Sequence, residues 1–334
     1  MKPLYLALFL FLCPPGPAAA DRIIFGEDDR VEYYQIPEPF KSAADSVVSL
    51  WPAAALKAGP EGDTLHFSTR SFGQVYRLCP GERFSAQPAG AFCSGSLVGE
   101  DLVLTAGHCI EDQAKCAKTA FVFGYAVKAP GRYTQSSVPA ADVYGCTEIL
   151  KRDWTNYTVT QNGEQSPTIY GDDFALIRLD RKVAGRRPLA VNRAGDIKKG
   201  DAVTAMGYPN GLPLKFSAEG MVVRPVRANS PYFDANLDIF GGNSGGPAFN
   251  AATGLIEGVV VRADADHFLT TFEGCRVYHV KPQNAGAGIS INKLGPVLDL
   301  IPPTPAEAAA ARKAQRLLED AAADPGTPVP APGF

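Results

Sequence analysis

Short apolar runs recur along the middle of the chain, each closed off by turn residues: AFCSGSLV, DLVLTAGH, TAFVFGYAV, DFALIRLD, DAVTAMGY, SAEGMVVRPV, GLIEGVVV and GAGISI. β-branched and aromatic residues dominate them, and their spacing predicts an all-β barrel or sandwich rather than alternating helices and strands. No unit repeats at 20–50 residues, which excludes a solenoid or propeller. A further strand-like run, DSVVSLW (Asp45–Trp51), lies earlier, between stretches rich in Pro, Gly and Ala.

The two ends read differently. Residues 1–20 hold a lysine, an apolar run from Leu4 to Leu12, a Pro/Gly break and Ala18-Ala19-Ala20, the pattern of a secretory signal peptide. The run is shorter than the ~20 residues of a membrane span, and no later segment reaches that length. Near the other end, Thr304-Pro305-Ala306-Glu307 forms a capping box ahead of the alanine-rich AEAAAARKAQRLLEDAAA, which predicts a helix. The last stretch, DPGTPVPAPGF, is expected to be disordered. The expected organisation is a signal peptide (1–20), an N-terminal extension (21–44), a main unit (45–302), and a helical and disordered tail (303–334).

A formal charge of −3 argues against nucleic acid or an anionic membrane as partner. Removal of residues 1–20 takes Cys13 with it and leaves an even six of the seven cysteines. Behind an export signal that number predicts up to three disulfides in a secreted or periplasmic protein.

Three segments carry candidate chemistry, in the order LTAGHCI with His108, GDDFALIRLD with Asp173 and GGNSGGPAF with Ser244. A serine hydroxyl is a weak nucleophile near neutral pH, so an imidazole must take its proton as it attacks. A buried carboxylate then holds that imidazole in the right tautomer. Glycines around Ser244 permit a tight turn that can aim the N–H groups of Gly242 and Ser244 at a developing oxyanion. Cys93 and Cys109 bracket the histidine turn. A disulfide between them would close a loop of about 15 residues, contribute ~3 kcal/mol in the chain-entropy model, and steady the base.

Together AFCSGSLVGEDLVLTAGHC, DFALIRL and GGNSGGPAF resemble the signature segments of chymotrypsin-fold, trypsin-like serine endopeptidases, in that family's order. The resemblance covers roughly 45–302. It implies two six-stranded antiparallel Greek-key barrels, about 45–180 and 181–302, with the site between them. It further implies a serine endopeptidase working through an acyl-enzyme, with protein or peptide substrates. It favours Asp173 over Asp172, because Asp173 stands directly before the apolar run.

Asn243 departs from the animal digestive branch, where an aspartate before the serine receives a newly cut amino terminus. Asn-Ser-Gly is similar to bacterial glutamyl endopeptidases and Deg-type proteases, and implies an oxyanion hole formed without such a cut. A Deg-type protein would carry peptide-binding domains after the barrels, and the 303–334 stretch is too short for one.

By the same resemblance, the backbones of Val261 and Ala263 would bind substrate as an added strand, and Ile239 and Val260 would wall the primary pocket. Asp238, six residues before Ser244, would stand at its base and select Lys or Arg; pairing with Arg262 or Arg276, or capping a turn, is the alternative for it. His66, His267 and His279 are scattered without metal-ligand spacing, and Asp264–His267 lacks enough oxygen ligands for calcium. No metal and no cofactor is expected, and a monomer is. The alternative from another class is a catalytically silent binding protein on the same fold, which would usually lack a triad member.

Overall fold

The structure is a computed structural model. It describes residues 24–309 and 312, apart from 39, 133–135, 158–159, 162–163, 166–168, 196, 263–267 and 284–287. Two short strands come first among the described residues, β1 (Ile24–Phe25) and β2 (Val31–Glu32). The first barrel follows: β3 (Val47–Pro52), β4 (Cys93–Leu97), β5 (Leu102–Thr105), β6 (Thr119–Phe123), β7 (Val143–Tyr157) and β8 (Ile169–Leu179). These six close on themselves in the order β6-β7-β8-β5-β4-β3.

β4, β5 and β6 are buried along their whole length, which is why they read as short apolar runs without clean alternation. Inside the barrel Trp51 stacks on Phe67 at 4.5 Å and meets Tyr125 edge-on at 5.1 Å. Its indole N–H donates to Ser49 Oγ, and Ser49 donates in turn to the Val122 carbonyl, so both of these buried polar groups are satisfied.

The second unit is an antiparallel sheet of β9 (Ala202–Gly207), β10 (Lys215–Met221), β11 (Tyr232–Ala235), β12 (Pro247–Asn250), β13 (Ile256–Arg262) and, after the two-residue β14 (Val280–Lys281), β15 (Ile289–Lys293). Its order is β11-β15-β13-β12-β9-β10, and β2 adds a seventh strand beyond β10. The sheet curls until Val222, just past β10, bridges Ala235 at the end of β11. The architecture is the all-β, two-barrel type expected, with one addition: the second barrel takes a strand from the N-terminal extension. Pairing decides that addition, and two residues are too short a run to show a period.

One apolar core fills the first barrel and continues across the junction to Met206, Phe216, Phe249 and Val261. A second, around Val203, Leu237, Ile239, Val260 and Ile291, includes Phe25 of β1. Three disulfides cross-link the chain: Cys93–Cys109, as expected, with Cys116–Cys146 and Cys79–Cys275. At the C-terminal end Thr304 and Glu307 exchange hydrogen bonds, each side chain accepting from the other's backbone N–H, to open the helical turn at 305–309.

Candidate active site

His108 lies in the turn after β5, and Asp173 lies within β8, the strand that pairs with β5. Asp173 is buried, and its two oxygens hold the histidine at two points. Oδ2 meets His108 Nδ1 at 2.8 Å, and Oδ1 accepts the backbone N–H of His108 at 3.1 Å. A bond to ring and backbone together sets the ring's position as well as its tautomer. The carboxylate is 2 % exposed and the imidazole 27 %, so the ring is screened behind and open in front. Nε2 has no hydrogen-bond partner among the described residues. Gly107 is required at this turn, since a Cβ there would run into the Asp153 carbonyl.

Asp172 is turned elsewhere, with Asn292 Nδ2 at 3.4 Å, and burial pushes its carboxyl above the ordinary range. Asn292, fully buried in β15, accepts the Asp173 N–H at 2.8 Å and so ties the aspartate to the second barrel. Nothing in GAGISINKL singled that asparagine out beyond being a polar residue in an apolar run.

Ser244 sits in the turn between Phe240 and β12. Asn243 closes that turn: its N–H donates to the Phe240 carbonyl at 3.0 Å and its side-chain oxygen accepts the Phe240 N–H at 3.1 Å. An amide at this position therefore makes a neutral local cap, for which a second, ionic partner is unnecessary. Gly242 has φ +90°, and a Cβ there would lie 2.5 Å from the Tyr208 carbonyl, so only glycine fits.

Ser94 of β4 clamps the turn to the first barrel. Its hydroxyl donates to the Gly242 carbonyl at 2.6 Å and accepts from Tyr208 N–H, while its own N–H donates to the Ser244 carbonyl at 2.8 Å. With these carbonyls engaged, the N–H groups of Gly242 and Ser244 donate to no protein acceptor among the described residues. The Cys93–Cys109 disulfide lies directly behind, with Cys109 Sγ 3.7 Å from the Ser244 carbonyl.

His108, Asp173 and Ser244 open onto one cleft of about 460 Å³ between the barrels. Ile239, Val260 and Val261 line it, as do Tyr170, Tyr232, Arg224, Asp234 and Arg262. Ala263 lies outside the described residues. Cys93, His108 and Cys109 are close enough to suggest a metal site, but both sulfurs are consumed by the disulfide.

Asp238 has a different place from the one its spacing suggested. It is 4 % exposed and does not line the cleft; its Oδ1 accepts the N–H of Phe25 at 2.8 Å and its Oδ2 that of Asp29 at 3.2 Å. Burial pushes its carboxyl up to about 7, against the pull of the Phe25 amide and with a further push from the Asp29 charge. A carboxyl so engaged by the N-terminal segment is not the base of a pocket for Lys or Arg.

Comparison with protein families matches a trypsin-like peptidase domain over residues 93–259, half of the chain. The chain belongs to the trypsin-like peptidase family. The match takes in all three segments, from Cys93 before the histidine to β13 after the serine. Among solved structures, the chain is similar to an inactive form of the Mycobacterium tuberculosis protease Rv3671c bearing a serine-to-alanine change, at 15 % identity and TM-score 0.40, covering 81 % of this chain and 97 % of that one. A second structure of Rv3671c, also an inactive form, shows 16 % identity and TM-score 0.39 over 79 % of this chain and 96 % of that one. No curated protein matches the chain. Three disulfides suit an extracellular or periplasmic trypsin-like peptidase, and no helix among the described residues is long and apolar enough to cross a membrane.

Proposed function

We propose that this protein is an exported serine endopeptidase that cleaves peptide bonds through an acyl-enzyme on Ser244. The observation that carries the reading is the 2.8 Å contact of His108 Nδ1 with the buried Asp173, on the cleft that Ser244 also faces. With Nδ1 held, Nε2 is the nitrogen left to take the Ser244 proton as the hydroxyl attacks the scissile carbonyl. The carbonyl oxygen turns anionic as the tetrahedral intermediate forms, and the unengaged N–H groups of Gly242 and Ser244 are the donors on hand for it. His108 then returns its proton to the leaving amine, and water repeats the sequence on the ester.

The Ser244 hydroxyl and His108 share no hydrogen bond among the described residues; such bonds commonly tighten only when substrate fills the cleft. Substrate lies as an added strand beside Val261, with an apolar side chain between Ile239 and Val260. The neutral cap made by Asn243 supports an oxyanion hole that needs no newly cut terminus, as in proteases with Asn-Ser-Gly.

Labelling with a fluorophosphonate tests the reading. Capture by the wild type, lost in Ser244→Ala and His108→Ala, is the expected result; a folded wild type that does not react would favour the silent binding protein. In a panel of chromogenic peptides, cleavage confined to sites after Lys or Arg would overturn the apolar pocket.

A further inference from the structure

Residues 24–32 are built into the nucleophile's side of the molecule. β1 pairs in parallel with β14, and Gly26 N–H continues that ladder to the Lys281 carbonyl at 2.6 Å. β2 pairs with β10. Between these two strands the segment engages the stretch leading to Ser244 at two points.

The first is Asp238, whose carboxyl receives the Phe25 and Asp29 amides. Ser217 completes that cluster, accepting the Asp238 N–H at 3.1 Å and donating to Asp29 at 3.3 Å. The second is Phe240, the residue whose N–H and C=O both bond Asn243 to close the turn. The Arg30 guanidinium lies 4.2 Å from the Phe240 ring, and also covers Tyr278 and Phe84. Arg30 is 1 % exposed and held in place by two bonds of 2.7 Å to Asp28.

Arg83 locks the same segment from outside, donating to the Asp28 and Arg30 carbonyls. Ile24 packs in one apolar cluster with Phe240 and Tyr278, and Phe25 in another with Ile239 and Val260. A merely surface-bound extension has no need of buried ions. The two points of engagement, Asp238 and Phe240, stand four and two residues before Gly242, and Phe240 is bonded directly to Asn243.

We propose that Asp238 and Arg30 are positioning residues through which the intact 24–32 segment holds the Phe240–Ser244 turn in its reactive shape. The segment then acts as an internal brace for the nucleophile, and a cut within 24–30 would switch the site off. The inference rests on the reading of Ser244 as nucleophile for its consequence in activity, though not for its consequence in the shape of the turn.

The test uses the full chain. Asp238→Asn keeps size and one acceptor oxygen while removing the second. Amide hydrogen exchange is read at Asn243, Gly245 and Gly246 of the turn and at Phe25 and Asp29 of the segment. The labelling rate per folded molecule and the separate kcat and KM for a peptide are measured beside it.

The expected result is faster exchange at both places, labelling and kcat lower by about 10-fold to 100-fold, and KM little changed. Faster exchange in the segment alone, with the turn and labelling rate as in wild type, would overturn the proposal. Should Asp238→Asn fail to fold, Arg30→Lys keeps the charge beside Asp28, loses the flat stack on Phe240, and is read the same way. A wild type that does not label, yet whose turn loosens on substitution, would sink the proposed function and leave the brace standing.

Discussion

The first barrel closes on itself through six strands, whereas the second sheet ends on a strand and a set of buried ions from residues 24–32. The histidine and aspartate therefore sit on a frame made rigid by apolar packing and by two disulfides, Cys93–Cys109 and Cys116–Cys146. The serine sits on a frame whose last contacts are polar: Asp238 with two amides, Arg30 with Asp28, and Lys215 with Glu32 at 3.0 Å. Apolar burial is indifferent to pH and tolerates shape-conserving exchange, while buried charges lose their value when one partner is removed. The two halves of one site should accordingly fail in different ways.

The largest effect is expected in the first half. Asp173→Asn should lower kcat by about 10⁴-fold, because an amide no longer holds the productive tautomer of His108, with the fold retained by circular dichroism. In the second half Lys215→Met should cost about 3–5 kcal/mol in denaturant unfolding, because it leaves the Glu32 carboxylate buried without its cation. Replacing Lys215 and Glu32 together by uncharged residues should recover much of that loss. Equal losses in the single and double variants would show that the ion pair is not what holds β2 to β10.

The polar half should also respond to pH. Asp238 in the fold ionises near 7, against an ordinary value of 3.8. Between those values the folded chain keeps a proton that the unfolded chain has released. Its contribution to stability is therefore full below about pH 4 and is lost as pH rises towards 7, with a slope of up to about 1.4 kcal/mol per pH unit. Unfolding measured from pH 4 to 8 should show this decline, and Asp238→Asn should flatten it; an unchanged profile would deny the carboxyl that role.

Ser94→Ala removes the hydroxyl's share of the clamp between the halves and leaves the Ser94 N–H on the Ser244 carbonyl. It should cost about 1–3 kcal/mol, since the Gly242 carbonyl and Tyr208 N–H lose a buried partner. The smallest effect belongs to Asp172→Asn, expected within about 0.5 kcal/mol and near wild-type in activity, because Asp172 faces away from His108. A loss comparable to that of Asp173→Asn would reassign the carboxylate.

Much of this was legible in the chain itself. The strands announced themselves as short apolar runs between turn residues, because a strand in a packed barrel must bury side chains locally whatever its neighbours are. His108, Asp173 and Ser244 stood out because each proposed role admits few residue types and each is framed by its own local grammar: TAGHC, an acid before an apolar strand, a serine among glycines. The Cys93–Cys109 pair was visible for the same reason, since its members flank one turn.

What only the tertiary structure decided is partnership across distance. Asp238 meets Phe25 across 213 residues and Asp173 meets Asn292 across 119. Spacing from Ser244 indicated that Asp238 stands near the site, but not which neighbour its side chain serves. The pairings Cys79–Cys275 and Cys116–Cys146, and the recruitment of Val31–Glu32 into the second barrel, were open in the same way. Local sequence sets which residues must leave water; the fold alone sets which group awaits each of them there.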